Sequence, residues 1–181
     1  QAATLETSLF AETGTARNWR GNNTSWSLSF TGGFVFPFYG QNYTSVTVSS
    51  EGFLQFGSSS GAGDGNNSTG ALISGPPRIA PLWDNLRTNG TGDDVFVDSS
   101  VAGQVTIRWN ATNEADGGDV QFAVVLFADG RIRFDYGPGN ANLTPTTGIS
   151  RGDGRFFVLP ENNGQTTLAN APSVLFDSVP G

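Results

Sequence analysis

The chain has 181 residues and contains no Cys, Met, His or Lys, so all nine of its basic residues are Arg. This composition excludes catalytic Ser-His-Asp and Cys-His sites, the usual zinc sites, and Schiff-base chemistry at Lys. The net charge of −7 and the pI of about 4.3 argue against a nucleic-acid partner, because binding to phosphates needs a basic patch.

The chain length predicts a single domain over residues 1–181. No apolar run approaches the ~20 residues of a membrane span, so we expect no membrane insertion. No signal peptide is present and the first residue is Gln1 rather than Met, which predicts a processed or trimmed chain. Within the domain we expect a core over 34–150 and an N-terminal arm or exchanged strand over 1–30.

The first clear strands lie in the aromatic-rich stretch 34–57, where a turn at 50–52 joins two of them. Period-two alternation predicts one buried face. Its members are Phe34, Phe36, Phe38, Val46, Val48, Leu54 and Phe56. Three further rings, Tyr39, Tyr43 and Phe53, fall on or near turns and are predicted to lie outside this face.

After a polar, Gly-rich loop at 58–70, alternating segments separated by turn signals continue to the end of the chain. They are 78–86, 95–97, 105–109, 120–127, 132–136, 146–150, 156–159 and 173–176. Pro81 predicts an edge or bulged strand for 78–86. Residues 120–127 are apolar on both faces, which predicts a central strand, and Asp129-Gly130 predicts a hairpin turn. The pattern indicates an all-β fold, a two-sheet antiparallel sandwich of jelly-roll type.

Between Phe34 and Ser150 the motifs follow a recognisable order: F-x-F-P-F-Y-G, G-F-L-x-F, I-A-P-L-W, Trp-Asn, F-A-V-V-L-F-A-D-G-R-I-R-F-D-Y-G and T-G-I-S. This order resembles the extracellular domain of plexin-domain-containing (tumour endothelial marker) proteins, and it is similar to nidogen-type domains and to related modules of secreted prokaryotic proteins. The resemblance implies an extracellular β-sandwich used in adhesion or as an accessory module, with no catalytic residues. The Cys-rich modules that often flank eukaryotic members are absent here, which favours a prokaryotic surface protein.

Acidic loops are candidates for a calcium site, because Ca²⁺ takes six to eight oxygen ligands and such loops supply carboxylates and carbonyls at close spacing. The candidate ligands are Asp93, Asp94, Asp98, Asp116 and Asp119. The alternative is that they are solvated turn residues, which favour Asp for backbone reasons alone. No other cofactor is predicted.

Eight N-x-[ST] triplets occur in the chain, more than chance predicts. Their Asn residues are Asn22, Asn23, Asn42, Asn66, Asn67, Asn89, Asn110 and Asn142. The pattern fits either a glycosylated extracellular surface or Asn- and Thr-rich turns without modification.

Four residues are candidates for partner contact. Trp19 and Trp26 flank a polar segment and are predicted to be exposed, whereas Trp83 and Trp109 are predicted to lie in the core. Arg151-Gly152-Asp153 spells the integrin tripeptide, so Arg151 and Asp153 are candidates as well, with a plain turn as the alternative.

Both ends of the chain are strand-like, at 4–10 and 172–180. They either pair within the sandwich or add a strand to a neighbouring copy, which would build an open fibre. The predicted partner is therefore another copy bound through terminal strands, or a glycan.

These patterns predict a non-enzymatic, secreted cell-surface protein with a structural or adhesive role, and more specifically the glycosylated subunit of a filament or layer assembled by strand exchange. The alternative is a carbohydrate-binding module, assisted by calcium. A glycosidase is the third reading, and it is disfavoured because none of the five Glu residues lies in a motif that predicts burial.

Overall fold

The computed structural model describes residues 3–177, which form antiparallel β-sheets and one short helix, α1 (Thr69–Ser74). The strands are β1 (Ala3–Glu6), β2 (Thr15–Ala16), β3 (Ser25–Ser29), β4 (Phe36–Phe38), β5 (Gln41–Tyr43), β6 (Ser45–Ser49), β7 (Leu54–Gln55), β8 (Arg78–Trp83), β9 (Leu86–Arg87), β10 (Asp94–Asp98), β11 (Gln104–Asn113), β12 (Asp119–Phe127), β13 (Ile132–Gly139), β14 (Thr146–Ser150), β15 (Phe157–Val158) and β16 (Ser173–Phe176). The predicted all-β, two-sheet antiparallel sandwich is confirmed.

The larger sheet has eight strands in the order β1-β16-β13-β12-β11-β10-β2, and β9 pairs with β11 beside that path. Its centre is an antiparallel meander of three long strands, β11, β12 and β13. Asp129-Gly130 lies in the turn between β12 and β13, as predicted. β12 pairs on both sides and is buried on both faces over most of its length, which confirms its predicted central position.

The smaller sheet has six strands in the order β15-β14-β8-β7-β6-β3, and β4 and β5 form a separate hairpin. The turn at 50–52 joins β6 to β7, as predicted. Gly52 in this turn has a φ of +89°, and a Cβ at this position would lie 1.9 Å from Leu82 O. Both the backbone angle and the space therefore require glycine here.

The main core lies between the two large sheets, and two buried hydrogen bonds connect them across it. Trp109 in β11 stacks on Phe122 in β12 with 4.9 Å between the ring centroids. Trp109 Nε1 donates to Ser49 O at 2.8 Å, and the Tyr136 hydroxyl donates to Pro81 O at 2.6 Å. The predicted core position of Trp109 is confirmed.

The apolar face predicted for residues 34–57 packs into this core. Phe36, Phe38, Val46, Val48, Leu54 and Phe56 are at most 3% exposed. Phe34 is half-buried against the same cluster. Because burial of a large apolar side chain contributes roughly 1.5–3 kcal/mol, this stretch stabilises the fold and does not form a stacking platform for a ligand.

Phe53 lies outside the face of the main core, as predicted, but it is not left on the surface. Phe53 is 0% exposed and packs with Leu72, Ala80 and Trp83 in a second buried cluster. Alternation places Phe53 on the outer face of the smaller sheet, but α1 covers that face with Leu72. The predicted burial of Trp83 is confirmed.

Pro81 lies in β8, which is buried along its length and pairs with both β14 and β7, so β8 is not an edge strand. The bulge that Pro81 also predicted is present. The register between β14 and β8 shifts between Thr146 and Gly148, opposite Pro81 and Leu82. Pro81 has no N–H group to donate to a neighbouring strand, and the register shift at this point allows it to lie inside a sheet.

Candidate functional site

The N-terminal arm (residues 3–16) runs from one edge of the eight-stranded sheet to the other. At one edge the four residues of β1 pair antiparallel with β16, with Ala3 opposite Phe176. At the other edge the two residues of β2 pair with β10. The arm therefore covers both edges, which are the positions at which a sheet can otherwise pair with another chain.

Between β1 and β2 the arm crosses the outer face of the sheet. Leu9 N donates to Ser173 Oγ at 3.0 Å. Phe10 covers Gly137 in β13, where a Cβ would lie 2.6 Å from Phe10 Cε2. Because residue 137 has no side chain, the Phe10 ring can lie directly against the backbone of β13, and a Cβ at this position would have to displace the ring.

The arm also covers charged side chains on this face. Arg108 in β11 is 6% exposed, and its Nε donates to Thr13 O in the arm at 2.9 Å. Asp135 in β13 accepts from Ser173 Oγ at 2.6 Å and from Arg133 Nε at 2.9 Å. Burial lowers the pKa of the Arg108 guanidinium. Thr13 O thus satisfies a buried cation that would otherwise lose an acceptor.

Contacts between the arm and the sheet are incomplete. Leu5 and Leu9 are 50% and 45% exposed. A cavity of about 140 Å³ remains where Leu9 and Ala11 of the arm face Val125 and Arg133 of the sheet. Segments with few buried contacts open at lower free energy than the core, so we expect the arm to separate from the sheet more easily than the strands of the meander do.

Polar loops form an open cleft of about 580 Å³ at one end of the sandwich, which we call the polar cleft. It is lined by Asn23, Asp64, Gly65, Asn66, Asn67, Asp84, Asn85 and Thr144. Asp84 is 5% exposed and accepts from Thr144 N at 2.8 Å, which fixes two of the loops to each other. Amide and carboxylate groups of this kind can bind sugar hydroxyls.

A buried carboxylate lies beside the polar cleft. Glu51 is 0% exposed, and its Oε1 accepts from Leu86 N at 3.2 Å. Its Oε2 accepts from Asn23 N at 3.1 Å and from Ser50 Oγ at 2.5 Å. Burial raises the pKa of Glu51, although these donors oppose the shift. The expectation that no Glu is buried was wrong, because Glu51 connects its own turn to the loop before β3 and to β9, which only the fold brings together.

A second cleft of about 440 Å³ lies at the opposite end, which we call the apolar cleft. It is lined by residues of the segments 31–35 and 99–105 and by Ala128. Val101 and Val35 at this cleft are 52% and 38% exposed. β3 and β13 each run between the two clefts, which places the clefts at opposite ends of the sandwich. The residues that line the two clefts differ in polarity.

The five aspartates predicted as calcium ligands do not converge on one point. Asp94 and Asp98 stand at opposite ends of β10, which puts them roughly 13 Å apart along the strand. Asp93, Asp94, Asp98 and Asp116 each accept hydrogen bonds from neighbouring groups, and Asp119 begins β12. Among residues 3–177, no group of three or more His, Cys, Asp or Glu is placed to hold a metal ion. Calcium binding stays a prediction.

Trp19 and Trp26 stack in parallel, with 5.8 Å between the ring centroids. The Arg17 guanidinium lies 4.8 Å from the centroid of the Trp19 ring. Both rings are half-buried and pack against the main core, so they are less exposed than the sequence predicts. Their stacking fixes the segment after the arm to the body and reduces the ring surface that a partner could contact.

Arg151 and Asp153 form an ion pair with each other inside their loop, and Arg151 Nε donates to Asp153 Oδ2 at 2.6 Å. The guanidinium holds the pKa of Asp153 at about 2. Arg151 also lies 4.1 Å from the centroid of the Phe156 ring. A partner that bound this tripeptide would have to compete with the ion pair between Arg151 and Asp153. Partner contact at these two residues stays a prediction.

The eight predicted glycosylation acceptors are unevenly distributed. Asn22, Asn23, Asn66, Asn67, Asn89 and Asn142 lie in loops at the end that carries the polar cleft, Asn42 lies in β5 and Asn110 in β11. The apolar cleft is lined by none of them.

Sequence reasoning missed the residues of the sheet that contact the arm, namely Arg108, Gly137 and Ser173. They occupy the outer face of their strands, and alternation alone assigns that face to solvent. The sequence did contain one indication of a covered outer face. Residues 120–127 are apolar on both faces, so both faces of this sheet must be covered. The arm is the cover on the outer side.

No helix within residues 3–177 is long and apolar enough to cross a membrane. The family described as NIDO related matches residues 2–175. This match extends beyond the stretch from Phe34 to Ser150 that carries the resemblance, and it includes the arm and most of β16. No curated protein and no solved structure matches the chain. Since the match covers nearly the whole sequence, the chain belongs to the NIDO-related family, which indicates a non-catalytic module in an extracellular context.

Proposed function

We propose that the chain is a structural subunit of an extracellular fibre or layer, in which the N-terminal arm of one copy binds the eight-stranded sheet of the next. The observation that carries the proposal is the path of the arm. It covers both edges of the sheet and its outer face through contacts that the arm of a second copy could make equally well.

Exchange of the arm would conserve its contacts. The β1–β16 and β2–β10 pairs would re-form between copies, so protein concentration and the conformation of the connecting segment would decide between the closed and the exchanged state. The arm and its binding surface are different parts of the molecule. The resulting contact is heterologous, and repetition of such a contact produces an open chain of subunits.

The segment after the arm provides a short hinge. Asn18 has a φ of +57°, a left-handed conformation that Asn tolerates better than most residues. Immediately after it, Trp19 N donates to Asp94 Oδ1 at 2.9 Å and Gly21 N donates to Thr88 Oγ1 at 2.9 Å. These bonds hold the chain from Trp19 onward to the body, and Arg17 N still pairs with β10 by donating to Val95 O at 3.0 Å, so we place the hinge at Asn18.

Separating the arm from the body tests the proposal. A variant that lacks residues 1–16 offers the binding surface without a donor. We expect it to remain monomeric, to bind a synthetic peptide of residues 3–16, and to shorten the filaments of the intact chain in electron micrographs. A Phe10→Ala peptide should bind more weakly, because it lacks the ring that covers Gly137.

A full chain that stays monomeric at every concentration would contradict the proposal if the body also fails to bind the peptide. Should the shortened variant not fold, the full chain with Gly137→Ala provides the second test. Its filaments should be fewer than those of the unmodified chain at equal concentration.

A carbohydrate-binding module is the second candidate, and the polar cleft favours it because amides and carboxylates line it almost completely. Calorimetric titration with oligosaccharides, with and without added calcium, tests this candidate. Asn85→Ala at the polar cleft should weaken binding, and Gln104→Ala at the apolar cleft should not. Deleting residues 1–16 should leave glycan binding unchanged, which separates the two candidates.

A further inference from the structure

We propose that the folded chain accepts N-linked oligosaccharide at Asn42 and Asn89, and that its fold closes Asn110 and Asn142 to the same modification. All four residues begin an N-x-T triplet, so the sequence alone treats them alike. The inference is independent of arm exchange. It concerns the four separate triplets, since the other four overlap in two adjacent pairs.

The two open triplets present both of their reactive groups to solvent. Asn42 and Thr44 are exposed on and beside β5, and Asn89 and Thr91 are exposed in the loop between β9 and β10. In the part of the chain that the structure describes, none of these four side chains makes a hydrogen bond. Neither Asn has to give up an existing contact in order to react.

Asn110 is held inside the sheet. It lies in β11, which pairs with β10 on one side and β12 on the other. Its Nδ2 donates to Gly92 O at 3.0 Å. The third residue of the triplet, Thr112, is 7% exposed and donates from its hydroxyl to Asp93 Oδ2 at 2.7 Å. Both groups that an acceptor triplet needs are therefore already engaged.

Asn142 is exposed, but its reactive groups are engaged as well. Its Nδ2 donates to Asp116 Oδ2 at 2.6 Å. The hydroxyl of its third residue, Thr144, donates to Asp84 Oδ1 at 3.2 Å, and Thr144 N donates to Asp84 Oδ2 at 2.8 Å. Asp84 is 5% exposed, so this triplet is tied to a buried carboxylate and cannot move out as a flexible loop would.

The chemistry explains why these contacts matter. The donor is an oligosaccharide linked through phosphate to a polyisoprenoid lipid, and a transferase of the producing cell catalyses the step. The Asn Nδ2 forms a bond to the anomeric carbon of the first sugar while the bond from that carbon to the phosphate oxygen breaks. The phosphate leaves with the electron pair, and Nδ2 loses one proton. Nδ2 must therefore reach the transferase site free of competing acceptors.

The open sites also fit the surface left for assembly. Asn42 and Asn89 line neither the apolar cleft nor the cavity between the arm and the sheet. Glycans at both positions would therefore be attached to residues outside those surfaces.

The test compares folded and unfolded chain in one reaction. The purified full chain is incubated with an oligosaccharyltransferase and a lipid-linked oligosaccharide, and each site is quantified by glycopeptide mass spectrometry. In the folded chain we expect occupancy at Asn42 and Asn89 at least tenfold above that at Asn110 and Asn142. After unfolding in urea and transfer into the assay, all four sites should react to similar extents.

Matched variants control for the triplet itself. Thr44→Ala and Thr91→Ala retain each Asn and should abolish occupancy at Asn42 and Asn89 respectively, with the other site unchanged. Asp116→Ala removes the acceptor of the Asn142 amide and should raise occupancy at Asn142. The inference is overturned if Asn110 or Asn142 reacts as readily as Asn42 in the folded chain, or if Asn42 and Asn89 remain unmodified.

Discussion

The N-terminal arm and the meander of β11, β12 and β13 belong to the same sheet, yet they are held very differently. β11 pairs with β12 through nine residue pairs, whereas β1 pairs with β16 through four. Leu126 in β12 is 0% exposed and Leu5 in β1 is 50% exposed. A strand-like sequence therefore does not predict how strongly a strand is bound to its sheet. That depends on how many residues it pairs with and on how deeply its side chains are buried.

The two regions nevertheless depend on each other. β12 is apolar on both faces, so its outer face needs a cover, and the arm supplies it. The strands of the meander cannot separate from the sheet without unfolding the protein. The arm, in contrast, can be replaced by the arm of another copy. This asymmetry is what an exchanged strand requires, and four measurements test it.

The largest effect is expected in the meander. Leu126→Ala removes a fully buried side chain between two paired strands, and we expect it to lower the free energy of unfolding by about 2–5 kcal/mol. Urea denaturation followed by Trp fluorescence measures this loss. A loss below about 1 kcal/mol would show that the meander is no more tightly packed than the arm.

The next effect is expected at the contact between the two regions. Gly137→Ala places a Cβ 2.6 Å from Phe10 Cε2, and overpacking of this kind costs about 1–3 kcal/mol. The cost should fall on the arm, so amide exchange should accelerate over residues 3–10 and stay unchanged in β11 and β12. Gly70→Ala in α1, where the added Cβ meets only one atom at 4.0 Å, is the control. Faster exchange throughout the sheet would instead mean that the arm and the meander unfold together.

A third measurement uses pH to perturb the body without the arm. Burial raises the pKa of Glu51 above its ordinary value of 4.5, so the folded protein binds this proton more tightly than the unfolded chain does. The stability that this proton contributes is complete below pH 4.5 and is lost as the pH rises through the folded pKa.

Glu51→Gln should remove this part of the pH dependence of the unfolding free energy, and Glu161→Gln at an exposed position controls for the loss of one carboxyl group. Urea unfolding from pH 4 to 8 gives the slope. An identical slope in the Glu51→Gln variant and the unmodified chain would refute the assignment. Amide exchange in the arm should not follow the Glu51 titration, since Glu51 bonds to none of the arm residues in the described part of the chain.

The smallest effect is expected in the arm. Leu5→Ala is the same change as Leu126→Ala, made at a side chain that is half exposed, and it should cost less than about 0.5 kcal/mol. The ratio of the two losses measures the difference between the regions directly. A cost above 1 kcal/mol at Leu5 would indicate that the arm is an integral part of the core and would weaken the exchange proposal.

Alternation and turn chemistry predicted most of the strands, including the hairpin at Asp129-Gly130 and the central position of 120–127. The same reasoning did not predict that Glu51 and Phe53, on either side of Gly52, are both buried. Alternation reports which side of a strand a residue occupies, but it does not report what covers that side. In this turn α1 covers Phe53, and the loops before β3 and at β9 enclose Glu51.

The candidate sites divide in the same way. The sequence located every N-x-[ST] triplet and predicted strand character for both termini, because those features are local. It could not indicate that Asn110 and Asn142 are engaged by Gly92 and Asp116, which lie far from them in the chain.

The period-two strands, the turns and the two-sheet class can thus be predicted from neighbouring residues and from the apolar faces they form. That the arm covers both edges of the larger sheet, that Gly137 faces Phe10, and that Asn42 and Asn89 are exposed becomes evident only in the folded molecule. The physical reason is that cover, burial and hydrogen-bond partners depend on contacts between residues distant in sequence, and those contacts exist only once the sheets have formed.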